Sequence, residues 1–318
     1  MKRFLKIAPF TLFSSFFSLV FKCSTFLLVL VFCVLSASCS AKKVYASEIS
    51  STESPAGFAQ DSFTGENTSL YLGNPSGAKS EKAEKTNYLI EKRQYALSYN
   101  SEKHIPNWVA WHLCKEDIGQ VKRSPTFVEE TRLPFGWYRV QRGDFQFSVY
   151  GFERGHLCPS GDRTNSTQNN TTTFSMANVV PQAPKNNSTV WNDLEQYCRR
   201  LALKGNELYI IAGTHGVGGT SKNGTFEKIL VQSRLTSIAV PAYLWKVVIS
   251  IPEGNNDIER ITEKAKVIAI LSPNTNDCLP SWKNYSVSID YLEEITGYDF
   301  FDLLPDEIEN LLEARVTK

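Results

Sequence analysis

From residue 86 onward the chain alternates short apolar runs with clusters of turn residues. The stretches 95–99, 108–111, 137–140, 208–212, 243–251 and 267–271 are aromatic or β-branched and bounded by Gly, Pro, Asn or Ser, a pattern that predicts strands. Apolar positions at helical spacing predict helices over 189–203, 258–266, 288–296 and 305–315. Strands outnumber helices and the two do not alternate strictly, which favours an α+β fold over a doubly wound sheet. Residues 47–85 are rich in Ser, Gly, Lys and Glu without periodicity. They are expected to form a loosely ordered segment ahead of a single domain over 86–318.

Residues 1–46 follow a different pattern. Met1, Lys2, Arg3 and Lys6 make a positive start, followed by apolar blocks over 8–21 and 26–35 that Lys22 separates and small residues close. This is the pattern of a signal peptide, with an N-terminal anchor as the alternative because the two blocks together exceed the usual apolar core. The expected localisation is secreted or periplasmic, or membrane-anchored if the segment is retained. Without residues 1–46, which hold six basic and no acidic groups, 28 basic groups face 33 acidic ones. That balance excludes a protein that coats nucleic acid through bulk positive charge, so any such contact must come from a local cluster. Cys23, Cys33 and Cys39 lie in the leader, and Cys114, Cys158, Cys198 and Cys278 in the body. Four cysteines in an exported chain permit two disulfides in three connectivities, and buried free thiols stand beside that reading. No CxxC pair suggests a metal site.

Candidate chemistry gathers in two segments. Glu153-Arg154-Gly155-His156 sets one of only four histidines beside an arginine and a turn, a context suited to proton transfer next to a bound anion. Further on, Asn187, Trp191, Glu195 and Arg199 recur every four residues. If the helix opens in the capping residues 186–189, successive members are offset by about 40° and share one slowly turning stripe. Asn187 and Glu195 then lie roughly 12 Å apart along the axis, too far for both to ligate one ion. One is expected to bind the metal and the other to act through its waters, which suits Mg²⁺. Together the segments read as a metal-assisted phosphodiesterase site. The glycine-rich stretch 213–219 lacks a following Gly-Lys-Ser/Thr and reads as a hairpin loop. His104, His112 and His215 show no ligand spacing.

Glu153 to His156, then Asn178 with Pro181 and Gln182, then Asn187 with Trp191 and Glu195 stand in fixed order. This order resembles the DNA/RNA non-specific endonucleases, the family of secreted bacterial sugar-non-specific nucleases and mitochondrial endonuclease G. Its signature is Asp-Arg-Gly-His, then Asn-x-x-Pro-Gln, then Asn-x-x-x-Trp-x-x-x-Glu. The likeness runs from about Leu72 to the C-terminus and includes Leu133-Pro134, Asp162-Arg163-Thr164 and residues 296–301. It implies a mixed or antiparallel sheet core flanked by helices, carrying a ββα-metal (His-Me finger) site. A strand would carry the histidine and a helix the metal-binding asparagine. The resemblance further implies an exported endonuclease that uses Mg²⁺, with Mn²⁺ as a substitute, to cut DNA and RNA to 5′-phosphate products without a stable protein partner. By the same likeness His156 is the general base and Asn187 the metal ligand, with Glu195 behind it. Arg154, Arg199 and Arg123 are phosphate clamps, and Asn178 and Gln182 hold loop and helix together. Glu153 replaces the family's Asp and is expected to orient His156 or a water of the metal. The competing readings are a catalytically silent nucleic-acid-binding protein on the same fold and a DNA-restricted nuclease.

Overall fold

The computed structural model describes residues 65–124 and 126–317; the leader and residues 47–64 lie outside the described residues. The strands are β1 (Tyr88–Glu91), β2 (Ala96–Asn100), β3 (Ile105–Leu113), β4 (Glu153–His156), β5 (Val179–Gln182), β6 (Asn206–His215), β7 (Gly219–Ser221), β8 (Gly224–Phe226), β9 (Lys228–Val231), β10 (Thr236–Ala239), β11 (Tyr243–Pro252) and β12 (Lys266–Pro273). The α-helical segments are α1 (Phe147–Tyr150), α2 (Thr167–Thr172), α3 (Pro184–Asn186), α4 (Asn192–Ala202), α5 (Asp257–Arg260), α6 (Ile289–Thr296) and α7 (Asp306–Glu313).

Six strands form one antiparallel sheet in the order β1-β2-β3-β6-β11-β12, so the fold is α+β as expected. β6 and β11 read as nearly unbroken apolar runs because both faces of the sheet are covered. Alternation sends Leu208, Ile210, Leu244, Val248 and Ile268 to one face, against Leu194, Cys198 and Ala202 of α4. Tyr209, Ile211, Val247, Ile249 and Val267 point to the other, against Ile289, Leu292 and Leu312 of α6 and α7. The site segments therefore sit on the first face, and the C-terminal helices close the second.

Several expectations are corrected. Residues 65–85, assigned to a loosely ordered segment, pack on the second face, where Leu72 and Ala78 are buried. Gly73, at φ 128°, lies so close to this layer that a Cβ would sit 1.6 Å from an Asp302 carboxylate oxygen. The stretch 137–140 is a loop: Trp137 N–H donates to Pro134 O at 3.1 Å, which bends the chain, and the indole packs edge-on against Tyr88 at 5.1 Å. The helix expected over 258–266 shortens to α5. There Arg260 reaches Asn255 O at 2.8 Å and also Pro252 O, and Ile261 leaves in an extended conformation and is buried. The helix expected over 189–203 begins earlier, as α3, a π-helical turn over Asn187–Trp191 and α4 form one run from Pro184 to Ala202. Pro184 at the first position opens it, not a cap at 186–189. Asn186 is buried and donates to Ser272 Oγ at 3.1 Å and Pro273 O at 2.8 Å on β12. By contrast, α6 starts where its pattern predicts, with Ser288 Oγ accepting from Tyr291 N–H at 3.1 Å.

Cys114, Cys158, Cys198 and Cys278 are all free thiols, so the two-disulfide alternative is not realised. Burial pushes the Cys114 and Cys198 thiols up to about 12 and Cys158 well above its ordinary value. Cys158 and Cys198 act as small apolar residues within the first-face core.

Candidate active site

β4 and β5 pair antiparallel, with Glu153 opposite Gln182, Gly155 opposite Val180 and His156 opposite Val179; the helical run from Pro184 follows at once. This is a ββα arrangement. Gly155 is forced by its neighbour, because a Cβ there would lie 1.9 Å from Gln182 Oε1. Gln182 Nε2 donates to Asn186 Oδ1 at 2.7 Å, coupling the strand to the start of the helical run. Asn178 clips the turn after the histidine: it accepts from Cys158 N–H at 3.0 Å and donates to Cys158 O at 2.9 Å and Thr173 O at 2.8 Å.

His156 lies between two rings, with centroids 5.2 Å from Phe127 and 4.9 Å from Phe174. Each ring carries an arginine on its face: Arg154 lies 5.1 Å from the Phe127 centroid and Arg123 5.0 Å from Phe174. Arg123 also donates to Ser160 Oγ at 2.8 Å, and Arg154 to Arg142 O at 3.2 Å. His156 is buried, and among the described residues its Nε2 has no hydrogen-bond partner. Burial, with Arg123 adding to it, lowers its pKa to about 3. The imidazole is therefore neutral near pH 7. Trp191 Nε1 donates to His156 O at 2.9 Å and fixes the strand end to the helix.

Glu153 does not reach for His156. Alternation along β4 sends the two side chains to opposite sides, and Glu153 Oε2 instead accepts from Asn187 Nδ2 at 2.7 Å. A carboxylate can only accept, so the amide N–H end of Asn187 is fixed on Glu153 and Oδ1 is left for a cation. A carboxamide oxygen braced by a carboxylate is a hard-donor environment that fits Mg²⁺. The π turn that holds Asn187 is a local widening of the kind frequent at functional sites.

Glu195 and Arg199 belong to a neighbouring cluster. Arg199 Nη1 is 2.9 Å from Asp162 Oδ1 and 3.9 Å from Glu195 Oε2, while Asp162 Oδ2 accepts from Trp111 Nε1 at 3.0 Å. The guanidinium lies over Gly161, where a Cβ would approach Nη1 to 2.8 Å. Burial lifts the Glu195 carboxyl above its ordinary range, against the pull of Lys246 and Arg199. The structure therefore joins Glu153 to Asn187, Arg123 and Arg154 to His156 through two phenyl rings, and Glu195 to Arg199. Asn187 and Glu195 make no direct hydrogen bond among the described residues.

Sequence reasoning assigned no site role to Asp162, Phe174 or Lys246. Lys246 is fully buried, has no hydrogen-bond acceptor among the described residues, and sits 4.0 Å from the Trp191 centroid and 5.6 Å from Trp111. Its signal was present: it breaks the apolar run of β11 at the parity of Leu244 and Val248. Phe174 carries no such signal.

The family model described as DNA/RNA non-specific endonuclease matches residues 72–307 of this chain. A nuclease of Nostoc sp. is 41% identical over 247 residues, covering 78% of this chain and 85% of the relative. The mitochondrial nuclease EXOG of Homo sapiens is 29% identical over 231 residues, covering 70% of this chain and 60% of its own length. A chain from a crystal structure of the EndoG/EndoGI complex shares the fold with a TM-score of 0.58 at 24% identity, covering 76% of this chain and 92% of its own.

Proposed function

The chain belongs to the DNA/RNA non-specific endonuclease family and is a nuclease, and from that premise we propose an exported, Mg²⁺-dependent endonuclease that cuts DNA and RNA to leave 5′-phosphates. The observation that carries the reading is the Glu153–Asn187 hydrogen bond, which commits the amide N–H and leaves a carbonyl oxygen on the helix that anchors His156 through Trp191. Asn187 would hold the Mg²⁺ ion, which when bound would supply charge neutralisation to the phosphate.

Neutral His156 takes the proton of the attacking water. Burial and Arg123 hold its basicity low, and the negative phosphodiester opposes them by favouring the imidazolium. Arg123 and Arg154, stacked on Phe174 and Phe127, hold non-bridging phosphate oxygens on either side of the imidazole. Arg199, fixed by Asp162 and Glu195, adds positive charge further along. These contacts address the phosphate backbone and carry no base information, which supports action on both DNA and RNA. Export rests on the apolar leader over residues 1–46.

Digestion of plasmid DNA and of RNA, with and without EDTA, tests the reading. Loss of both activities in EDTA and recovery with Mg²⁺, or with Mn²⁺ as substitute, is expected. Cleavage of DNA alone would indicate a DNA-restricted nuclease, and binding without cleavage a silent module.

A further inference from the structure

A second set of donors converges at the end of β3. His112 shares the parity of Trp108 and Ala110, so its ring lies on the sheet face opposite Trp111 and the first-face core. Cys114 follows two residues later. The 3-10 turn over Lys115–Asp117 then folds Asp117 back, so that its Oδ2 accepts from Cys114 N–H at 3.1 Å and lies 3.6 Å from Cys114 Sγ. A ring nitrogen of His112, Cys114 Sγ and an Asp117 carboxylate oxygen all lie within 4.8 Å of one another.

The sulfur-to-oxygen separation fits one particular chemistry. Zn–S and Zn–O bonds of about 2.3 and 2.1 Å at a tetrahedral angle place the two ligand atoms about 3.6 Å apart. His112 Nε2 lies 3.2 Å from Glu207 Oε2, a carboxylate placed to fix the ring and its tautomer as one does behind metal-bound histidines. Arg163 gives four N–H groups to the carbonyls of Gln94, His112 and Asp162, and its Nη1 lies 3.3 Å from Asp117 Oδ2, so it braces the carboxylate from that oxygen. A cavity of about 300 Å³, lined by these three donors and Arg163, gives an ion and a water room to approach. A nitrogen, a thiol sulfur and one carboxylate oxygen form a donor set for thiophilic transition metals, not for Mg²⁺ or Ca²⁺.

We propose that His112, Cys114 and Asp117 form a second metal site, separate from Asn187, for a thiophilic divalent cation of the Zn²⁺ class, with its fourth position open to the cavity. Such an ion pins the end of β3 to the turn that follows it.

Co²⁺ is the probe, because a thiolate–Co²⁺ bond gives near-ultraviolet charge-transfer absorption that a carboxamide ligand cannot produce. Titration of the EDTA-treated full chain is expected to give a band that saturates at one equivalent and is discharged by Zn²⁺. It should persist in Asn187→Ala and vanish in Cys114→Ser. No band in the parent overturns the proposal, as does a band that survives in Cys114→Ser. If Cys114→Ser does not fold, the parent itself supplies the second measure: Zn²⁺ is expected to slow iodoacetamide labelling of Cys114 at least tenfold, and unchanged labelling overturns the site.

Discussion

Glu153 and Asn187 meet through one hydrogen bond of 2.7 Å, and its polarity decides what the asparagine can offer. Glu153→Ala frees the amide to rotate, and the half-saturating Mg²⁺ concentration for cleavage is expected to rise about 10- to 100-fold, the usual cost of losing a ligand's support. Glu153→Asp keeps the charge and should retain most of the affinity. Asn187→Ala should weaken metal dependence more than Glu195→Gln. Activity titrated against Mg²⁺ checks all three, and a parent-like curve for Glu153→Ala would show that this bond has no bearing on the ion. His156 gives a pH prediction. Its folded pKa of about 3 lies below the unfolded value near 6.5, so between these pH values the unfolded chain binds a proton that the folded chain refuses. Its contribution is complete above pH 6.5 and is lost progressively as pH falls towards 3, on the order of 3 kcal/mol by pH 4. His156→Asn should flatten this part of the stability curve, and urea unfolding of both proteins from pH 7 to pH 4 measures it. Equal slopes would contradict the depressed pKa. At this scale the site was legible in residue types, but the partner of Glu153 was not. Strand alternation already separates Glu153 from His156, yet only the fold shows that the amide of Asn187 lies on the same side.

Two anchors set the geometry of the helix that carries Asn187. Asn186 is tied to Ser272 and Pro273 on β12, and Trp191 to the carbonyl of His156. The five residues Asn187–Trp191 take up the span as a π turn. The four-residue spacing of Asn187, Trp191, Glu195 and Arg199 predicted a helix but not this widening, because both anchors are tertiary. Deleting exposed Ser188 should restore regular helix and rotate Asn187 by about 100° relative to α4. More than a tenfold loss of Mg²⁺ affinity at unchanged helical circular dichroism is expected, whereas parent-like metal dependence would mean that the turn plays no part in placing the ligand. The two site glycines should behave differently. Gly155→Ala drives a methyl into Gln182 and should cost about 1–3 kcal/mol, as overpacking does. Gly161→Ala meets only the guanidinium of Arg199, which must shift against its Asp162 partner, and should raise KM with little change in Tm. Thermal melts and steady-state kinetics of the pair separate packing from substrate contact. The misread strand at 137–140 teaches the same lesson: its pattern is strand-like, but Pro134 and Gly136 turn it away from any ladder.

Among the described residues the main sheet has two covered faces: the first carries the candidate site, and α6, α7 and residues 65–87 pack on the second. The α+β class was readable from the strand and helix pattern, whereas a mixed or antiparallel sheet was implied only by the family resemblance. The packing of residues 65–87 was not, because the apolar triplet Leu70-Tyr71-Leu72 and the lone Ala78 are too short and too far apart among polar turn residues to show a periodicity. Net charge was informative in the opposite direction, since a body with 28 basic and 33 acidic groups can attract a polyanion only through its local arginines. With Arg123, Arg154 and Arg199 as the contacts, log(kcat/KM) on duplex DNA should fall with log[salt] at a slope of about −3, far shallower than for a protein that neutralises ten phosphates. A slope near −10 would reveal a broader basic surface. The central claim, that His156 is the base of a phosphodiesterase, is tested most directly by initial rates of supercoiled-plasmid nicking at saturating Mg²⁺ for the parent and for His156→Ala. The variant is expected to keep the parent's melting transition above pH 7 and to cut slower by a factor on the order of 10² or more; nicking within a few-fold of the parent would contradict the assignment.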